Sequence, residues 1–144
     1  MAALTPKERV MRVFKKEPVD TMPFFSGYGM VVMPAIKELG YAFPTVHTDA
    51  NKLAQAAMLS AKMFDFDSVI VPFDMCCESE AVGNTISLYE NSMDILYPTI
   101  PEKMWKKLDQ LDIPSDIMKR GRMPMIIEAI KIAKKEAPDH AIGA

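Results

Sequence analysis

The stretch "VIVPFDMCCESEAVG", residues 69–83, gathers the side chains of this sequence that could do chemistry. It opens as a buried strand and then presents Asp74, Cys76, Cys77, Glu78 and Glu80 in quick succession. In parallel α/β folds catalytic groups collect at the C-terminal ends of strands, because the loops that follow form the open mouth of the site. A carboxylate at Asp74 could there orient a substrate, accept hydrogen bonds or stabilise positive charge, or it could simply cap a loop. Glu78 and Glu80 could work as an acid–base pair or stay solvated. Adjacent cysteines are poorly placed to bridge one another, and with only His47 and His140 beside them they fall short of a zinc ligand set. Cys76 and Cys77 therefore read as free thiols of a reducing compartment, and no metal site is assigned within these residues.

Two further places bear on the same mouth. His47, in "FPTVHTD", precedes a helix start and could line the site or pack structurally, whereas His140 reads as structural. "SGYGM", residues 26–30, carries Tyr28 between two glycines that permit close backbone approach. It lacks the third glycine and the helix of a dinucleotide fingerprint, and neither a Walker loop nor a nucleophile elbow occurs elsewhere.

The elements that must position these groups follow from patterning. In "LTPKERVMRVFKKE" Thr5, Pro6 and Glu8 form a helix start, with Val10, Val13 and Phe14 on one apolar face. "VDTMPFF" reads as a short strand with Pro23 near its start or at an edge, and "VVMPAIKELG" as a short helix stopped by Gly40. "TDANKLAQAAMLSAKMF" is a long helix capped by Thr48 or Asp49, with Leu53, Ala57, Ser60, Ala61 and Phe64 along one side. "DSVIVPF" is a continuously apolar strand of the kind covered on both faces. "TISLYE" and "MDILYP" about Asn91-Ser92 predict a β-hairpin. "PEKMWKKLDQL" predicts a helix anchored by Trp105 and Leu108, and "IPSD" a turn. "RMPMIIEAIKIAKKEA" is a second long helix with lysines at its C-terminal end, and "HAIGA" begins another strand. Alternation of strands and helices gives an α/β class with parallel pairing. Stopping on a nascent strand implies a single domain over 1–144 whose fold continues further.

Bulk properties narrow the function classes. The 144 residues are 49% hydrophobic and 25% charged with net charge −2, ordinary for a globular chain and without the basic excess of a nucleic-acid binder. No apolar run approaches the ~18 residues of a membrane span, and no signal-peptide core opens the chain, so a cytoplasmic, soluble protein is expected. Thirteen methionines read as core filler.

The residues also carry a resemblance. "LTPKERVMRVFKKEPVDTMPFF" resembles the opening of the uroporphyrinogen decarboxylase superfamily. "FDFDSVIVPFDMCCESEAVGN" resembles its methyltransferase branch, the methylcobamide:coenzyme M methyltransferases of methanogens, and "GRMPMIIEAIKIAKKE" extends the likeness over nearly the whole chain. The resemblance implies the N-terminal part of a (β/α)8 TIM barrel about twice to two and a half times this length. These residues would supply an N-terminal helix, the first two strands, the start of the third and a β-hairpin insertion. It implies Asp74 as the catalytic-site residue at the mouth and matches Glu80 to a family position; Tyr28, His47 and Glu78, read from their places in the chain, join Glu80 as further substrate- or corrinoid-facing candidates. The implied activity moves a methyl group from a methylated corrinoid protein to a thiol such as coenzyme M, in methanogenesis from methanol or methylamines. The family's zinc sits on a His-x-Cys pair and a later Cys beyond these residues, so this chain alone is expected to bind no cofactor and to be inactive. The decarboxylases grip substrate carboxylates with an arginine-rich segment after the first strand. "SGYGM" has no arginine there, which turns the reading away from tetrapyrrole decarboxylation. That decarboxylase remains the alternative, together with a non-catalytic truncated paralogue or a subunit that pairs with a C-terminal half-barrel or with itself.

Overall fold

Thr5 opens the first helix with a reciprocal cap: its Oγ1 accepts from the Glu8 N–H at 3.2 Å while its own N–H donates to Glu8 Oε2 at 2.9 Å. Helix α1 then runs Pro6–Phe14. Val10 is buried as the periodicity requires, but Val13 and Phe14 are 37% and 63% exposed, the Phe14 ring meeting Phe25 edge to face. Thr5→Ala is expected to lower stability by about 0.5–2 kcal/mol, measured by urea unfolding, because the Glu8 N–H at the helix start loses its acceptor.

The computed structural model describes residues 3–25, 30–72 and 74–144, so Tyr28 and most of "SGYGM" lie outside the described residues. Beyond α1 the elements are α2 Met33–Glu38, a 3-10 turn Phe43–His47, α3 Ala50–Phe64, strand β1 Ser68–Ile70, α4 Cys77–Ala81, α5 Met123–Glu136 and strand β2 Ala141–Gly143. β1 and β2 pair in parallel, Ser68 with Ala141, Val69 with Ile142 and Ile70 with Gly143. They are the second and third strands of the expected order, joined by α5 in a βαβ unit. Gly40, at φ +68°, ends the turn after α2 in a backbone state that favours glycine.

Several local expectations are corrected. "VDTMPFF" lies beside β1 but forms no strand among the described residues. Pro23 has no N–H to give a ladder, and the Phe24 N–H goes to the Asp67 carboxylate at 2.7 Å while Phe24 O accepts from the Asp67 N–H at 3.0 Å. The hairpin shrinks to one antiparallel bridge, Ser87 to Thr99, because Tyr89 at φ +55° turns the chain out of strand conformation. "PEKMWKKLDQL" keeps only a 3-10 turn at Leu108–Gln110, and Leu108 is 85% exposed rather than an anchor. Gln110 Oε1 accepts from the Lys106 and Lys107 N–H groups instead, and a helix this short has no buried face to stabilise it. Phe64, expected on the buried side of α3, is half exposed and stacks on Phe66.

The core sits where α3 and α5 cover the sheet: Leu53, Ala54, Ala57, Ala61, Val69, Val71, Ala129 and Ala133 form one buried cluster. Asp49 caps α3 through the Lys52 N–H at 3.0 Å. Buried Ser60 is satisfied within the fold, donating to Ala56 O at 2.6 Å and accepting from the Val32 N–H at 3.0 Å. At the lower edge Arg9 ties α1 to Asp20, at 2.8 Å, and to Asp67. Among the described residues no helix is long and apolar enough to cross a membrane.

Candidate functional site

Helices that follow or precede parallel strands in βαβ order run antiparallel to them. Their N-termini therefore lie at the same end as the strand C-termini. Three segments meet at that end: the residues after β1, the turn before α3, and the residue that begins α5. They bring Asp74, His47 and Arg122 together, and α4 adds Glu80.

Asp74 is the centre of this cluster, with a side chain only 2% exposed. Arg122 grips it as a fork, Nη1 donating to Oδ2 at 2.8 Å and Nη2 to Oδ1 at 3.3 Å, the bidentate geometry that guanidinium and carboxylate favour. The Cys76 N–H donates to Oδ1 at 3.0 Å and the Cys77 thiol to the same oxygen at 3.4 Å. His47 Nδ1 lies 3.1 Å from Oδ2. An ionised carboxylate only accepts, so the proton of the contact sits on Nδ1 and the imidazole tautomer is fixed. Burial pushes the Asp74 carboxyl up, but hydrogen bonds from His47, Arg122 and the Cys76 N–H outweigh it and hold the group well below the usual carboxylate range.

Arg122 faces a second carboxylate. Its Nε donates to Glu80 Oε2 at 2.6 Å, its backbone N–H to the same oxygen at 3.3 Å, and its Nη1 also reaches His47 O at 3.2 Å. Burial lowers its proton affinity, and the bonds to Asp74 and Glu80 more than restore it. Gly121, at φ +51°, makes this approach possible: a Cβ there would stand 2.8 Å from Glu80 Cγ. Gly121→Ala is expected to cost about 1–2 kcal/mol from the left-handed backbone alone and to loosen the Glu80–Arg122 pair, read as a lower urea midpoint.

The remaining sequence candidates divide. Glu78 is exposed on α4. Cys76 donates its thiol to Pro98 O at 3.2 Å. Burial, followed by the Asp74 charge, raises both thiols, Cys77 up to about 12. Protonated thiols already bonded to oxygen do not fit a zinc ion, and among the described residues no group of three or more His, Cys, Asp or Glu side chains could hold a metal. His140 precedes β2 at the opposite end of the strands and borders a hollow of about 480 Å³ with Lys62, Asp65 and Asp139. Arg122 escaped the sequence reading. Its signal was available in "GRMP", an arginine between a glycine and a proline-initiated helix, at the end of the fold where Asp74 had already been placed.

The uroporphyrinogen decarboxylase (URO-D) family model matches residues 5–143. The chain belongs to the uroporphyrinogen decarboxylase family. Within it, the chain is 30% identical over 137 residues to the methylcobamide:CoM methyltransferase MtbA of Methanosarcina acetivorans, covering 94% of this chain and 40% of that protein. It is 28% identical over 141 residues to the methylcobamide:CoM methyltransferase MtaA of Methanosarcina barkeri, covering 96% and 41%. A solved methyltransferase from Methanosarcina mazei superposes with a TM-score of 0.85 at 29% identity, over 97% of this chain and 42% of that one. The fold is thus part of the family's TIM barrel, and the chain spans about two fifths of the length of the relatives it matches.

Proposed function

We propose that this chain forms one side of the mouth of a cobamide-dependent methyltransferase, which moves a methyl group from a methylated corrinoid protein to a small thiol such as coenzyme M in the cytoplasm. The observation that carries the reading is the likeness, over nearly the whole chain, to methylcobamide:CoM methyltransferases. The buried Asp74 cluster stands at the end of β1 where such a site belongs. In the transfer, sulfur forms a bond to the methyl carbon, the thiol proton leaves, and the cobalt–carbon electron pair stays with cobalt.

The chemistry of the cluster limits what these residues contribute. Asp74 is ionised and both its oxygens are occupied by donors, so it does not take the thiol proton. It acts as a fixed anion that holds His47, Arg122 and the start of α4 in one arrangement around the mouth. Activation of the thiol by zinc falls to residues beyond this chain, as the resemblance implies. Arg122 does not revive the decarboxylase alternative, because its guanidinium is already shared between two carboxylates of the protein.

The test replaces the matched 42% of the Methanosarcina mazei methyltransferase with this chain and follows methyl transfer from methylcobalamin to coenzyme M by the cobalamin spectrum. Transfer by the folded chimera, with a fall of about tenfold or more in Asp74→Ala, supports the reading. A chimera with native circular dichroism that transfers no methyl group, or that releases carbon dioxide from uroporphyrinogen, overturns it.

A further inference from the structure

At the end of the fold opposite the Asp74 cluster, basic side chains from separate elements converge on one hollow. Lys7 comes from the start of α1, Lys134 from the last turns of α5, and His140 from the turn that leads into β2. With Ile130, Pro138 and Ile142 they border a space of about 290 Å³. Backbone hydrogen bonds fix this frame. The Lys7 N–H donates to Asp139 O at 2.8 Å, the His140 N–H to Ala137 O at 3.1 Å, and the Ala141 N–H to Asp67 O at 3.1 Å.

The positive charge of the hollow has no counter-charge in its walls. No carboxylate borders it. Asp65, Glu136 and Asp139 line the neighbouring hollow, which shares only Pro138 and His140 with this one. The residues three and four places from Lys7 and from Lys134 in sequence include no aspartate or glutamate, so neither ammonium has an acidic partner one helical turn away. Among the described residues neither lysine enters an ion pair. The helix ends roughly cancel, since α1 begins and α5 finishes beside the hollow. In a chain with 19 acidic and 17 basic residues, this is a local positive field against an apolar wall.

We propose that this hollow binds a small organic oxyanion, a phosphate monoester or sulfonate on a short carbon body. The two ammonium groups and the imidazole supply donors to a tetrahedral oxyanion and form charge-assisted bonds with it. Ile130 and Ile142, both packed against the core cluster, cover the carbon body together with Pro138. The space falls at the small end of ligand pockets, and no aromatic ring borders it to stack on a base or a macrocycle. A ligand here lies far from Asp74 and takes no part in methyl transfer. It instead ties the start of α1 to the end of α5 and to β2, so its binding stabilises the folded chain.

The test titrates propyl phosphate, 1-propanesulfonate and inorganic phosphate into the chain at one ionic strength, set with sodium chloride. The same titrations are made on Lys7→Gln and Lys134→Gln, with Lys62→Gln as a control because Lys62 borders only the neighbouring hollow. Calorimetry reads affinity, and circular dichroism confirms that each variant is folded. One organic anion is expected to bind more tightly than inorganic phosphate, to lose about tenfold in each of Lys7→Gln and Lys134→Gln, and to keep its affinity in Lys62→Gln. The tighter of the two organic anions tells a phosphate source from a sulfonate source. Affinity unchanged in the two hollow variants overturns the site, and so does an equal loss in Lys62→Gln, which marks general charge attraction. Inorganic phosphate bound as tightly as the organic anions overturns the organic ligand, and no binding by the folded wild type overturns the proposal outright. Binding by the chain that disappears in the folded chimera described above overturns it in favour of the rest of the barrel as the occupant.

Discussion

Arg122→Met is expected to destabilise the fold by about 3–5 kcal/mol, because it leaves the Asp74 charge in the interior without its counter-ion. Methionine reproduces the aliphatic stem of arginine and carries no guanidinium, so the loss reads mainly on charge and hydrogen bonding. Asp74 would keep His47, the Cys76 N–H and the Cys77 thiol, and Glu80 would turn to solvent. Arg122→Lys should recover only part of the loss, since an ammonium cannot donate to Asp74 through two Nη groups and to Glu80 through Nε at once. Urea unfolding of the single variants and of Asp74→Asn/Arg122→Met checks the assignment. The double variant should cost clearly less than the two single costs added, because the same pair is broken in each. Strict additivity would show that the two side chains do not act together.

Asp74→Asn should remove about 3 kcal/mol at neutral pH and also flatten the acid limb of the stability profile. The folded carboxyl is held well below its usual range, whereas in the unfolded chain it titrates near its ordinary value of about 3.9. Its contribution is therefore complete above about pH 4 and is lost as the pH falls through the folded value, because the unfolded state then binds the proton more readily. The wild type should lose stability steeply below about pH 4, and the variant, with no carboxyl at this place, should lose it more gently. Part of the limb survives in the variant through Asp20, which hydrogen bonds from Arg9 and the Leu4 N–H hold low at the molecular surface. Chemical denaturation at stepped pH measures both curves, and identical slopes would show that Asp74 is not a main acid-sensitive group.

The parts of the molecule that were legible in the sequence are those decided locally. The capping box at Thr5, the Asp49 cap of α3, the glycine stop at Gly40 and the continuous apolar run of β1 each follow from residues within a few positions of one another. The position of Asp74 just past the C-terminal end of β1 is legible for the same reason, since it needs only the end of that strand. Harder to read was whatever a distant partner decides. The Asp67 carboxylate takes the N–H that "VDTMPFF" would have offered to a ladder. "PEKMWKKLDQL" has helical composition, but its Leu108 finds no surface to cover it and only Trp105 is half-buried. Arg122, 48 residues from Asp74, looked like an ordinary charged residue before a helix. Its role becomes visible only once α5 is known to start at the end of the fold where β1 stops.

The alanines along α3 and α5 have a consequence for how this protein can change. Ala54, Ala57 and Ala61 on one helix and Ala129 and Ala133 on the other are all essentially inaccessible and share one cluster. Small side chains on both sides set a short spacing between the two axes, and dense interiors resist added methylene groups. β1 and Asp74 follow directly from α3, and Arg122 stands at the head of α5, so the seam acts as a gauge for the distance across the ion pair. A valine at any of these five positions forces the helices apart unless a facing residue shrinks with it. Drift along this seam is therefore paired, and the two helices are obliged to evolve as one part.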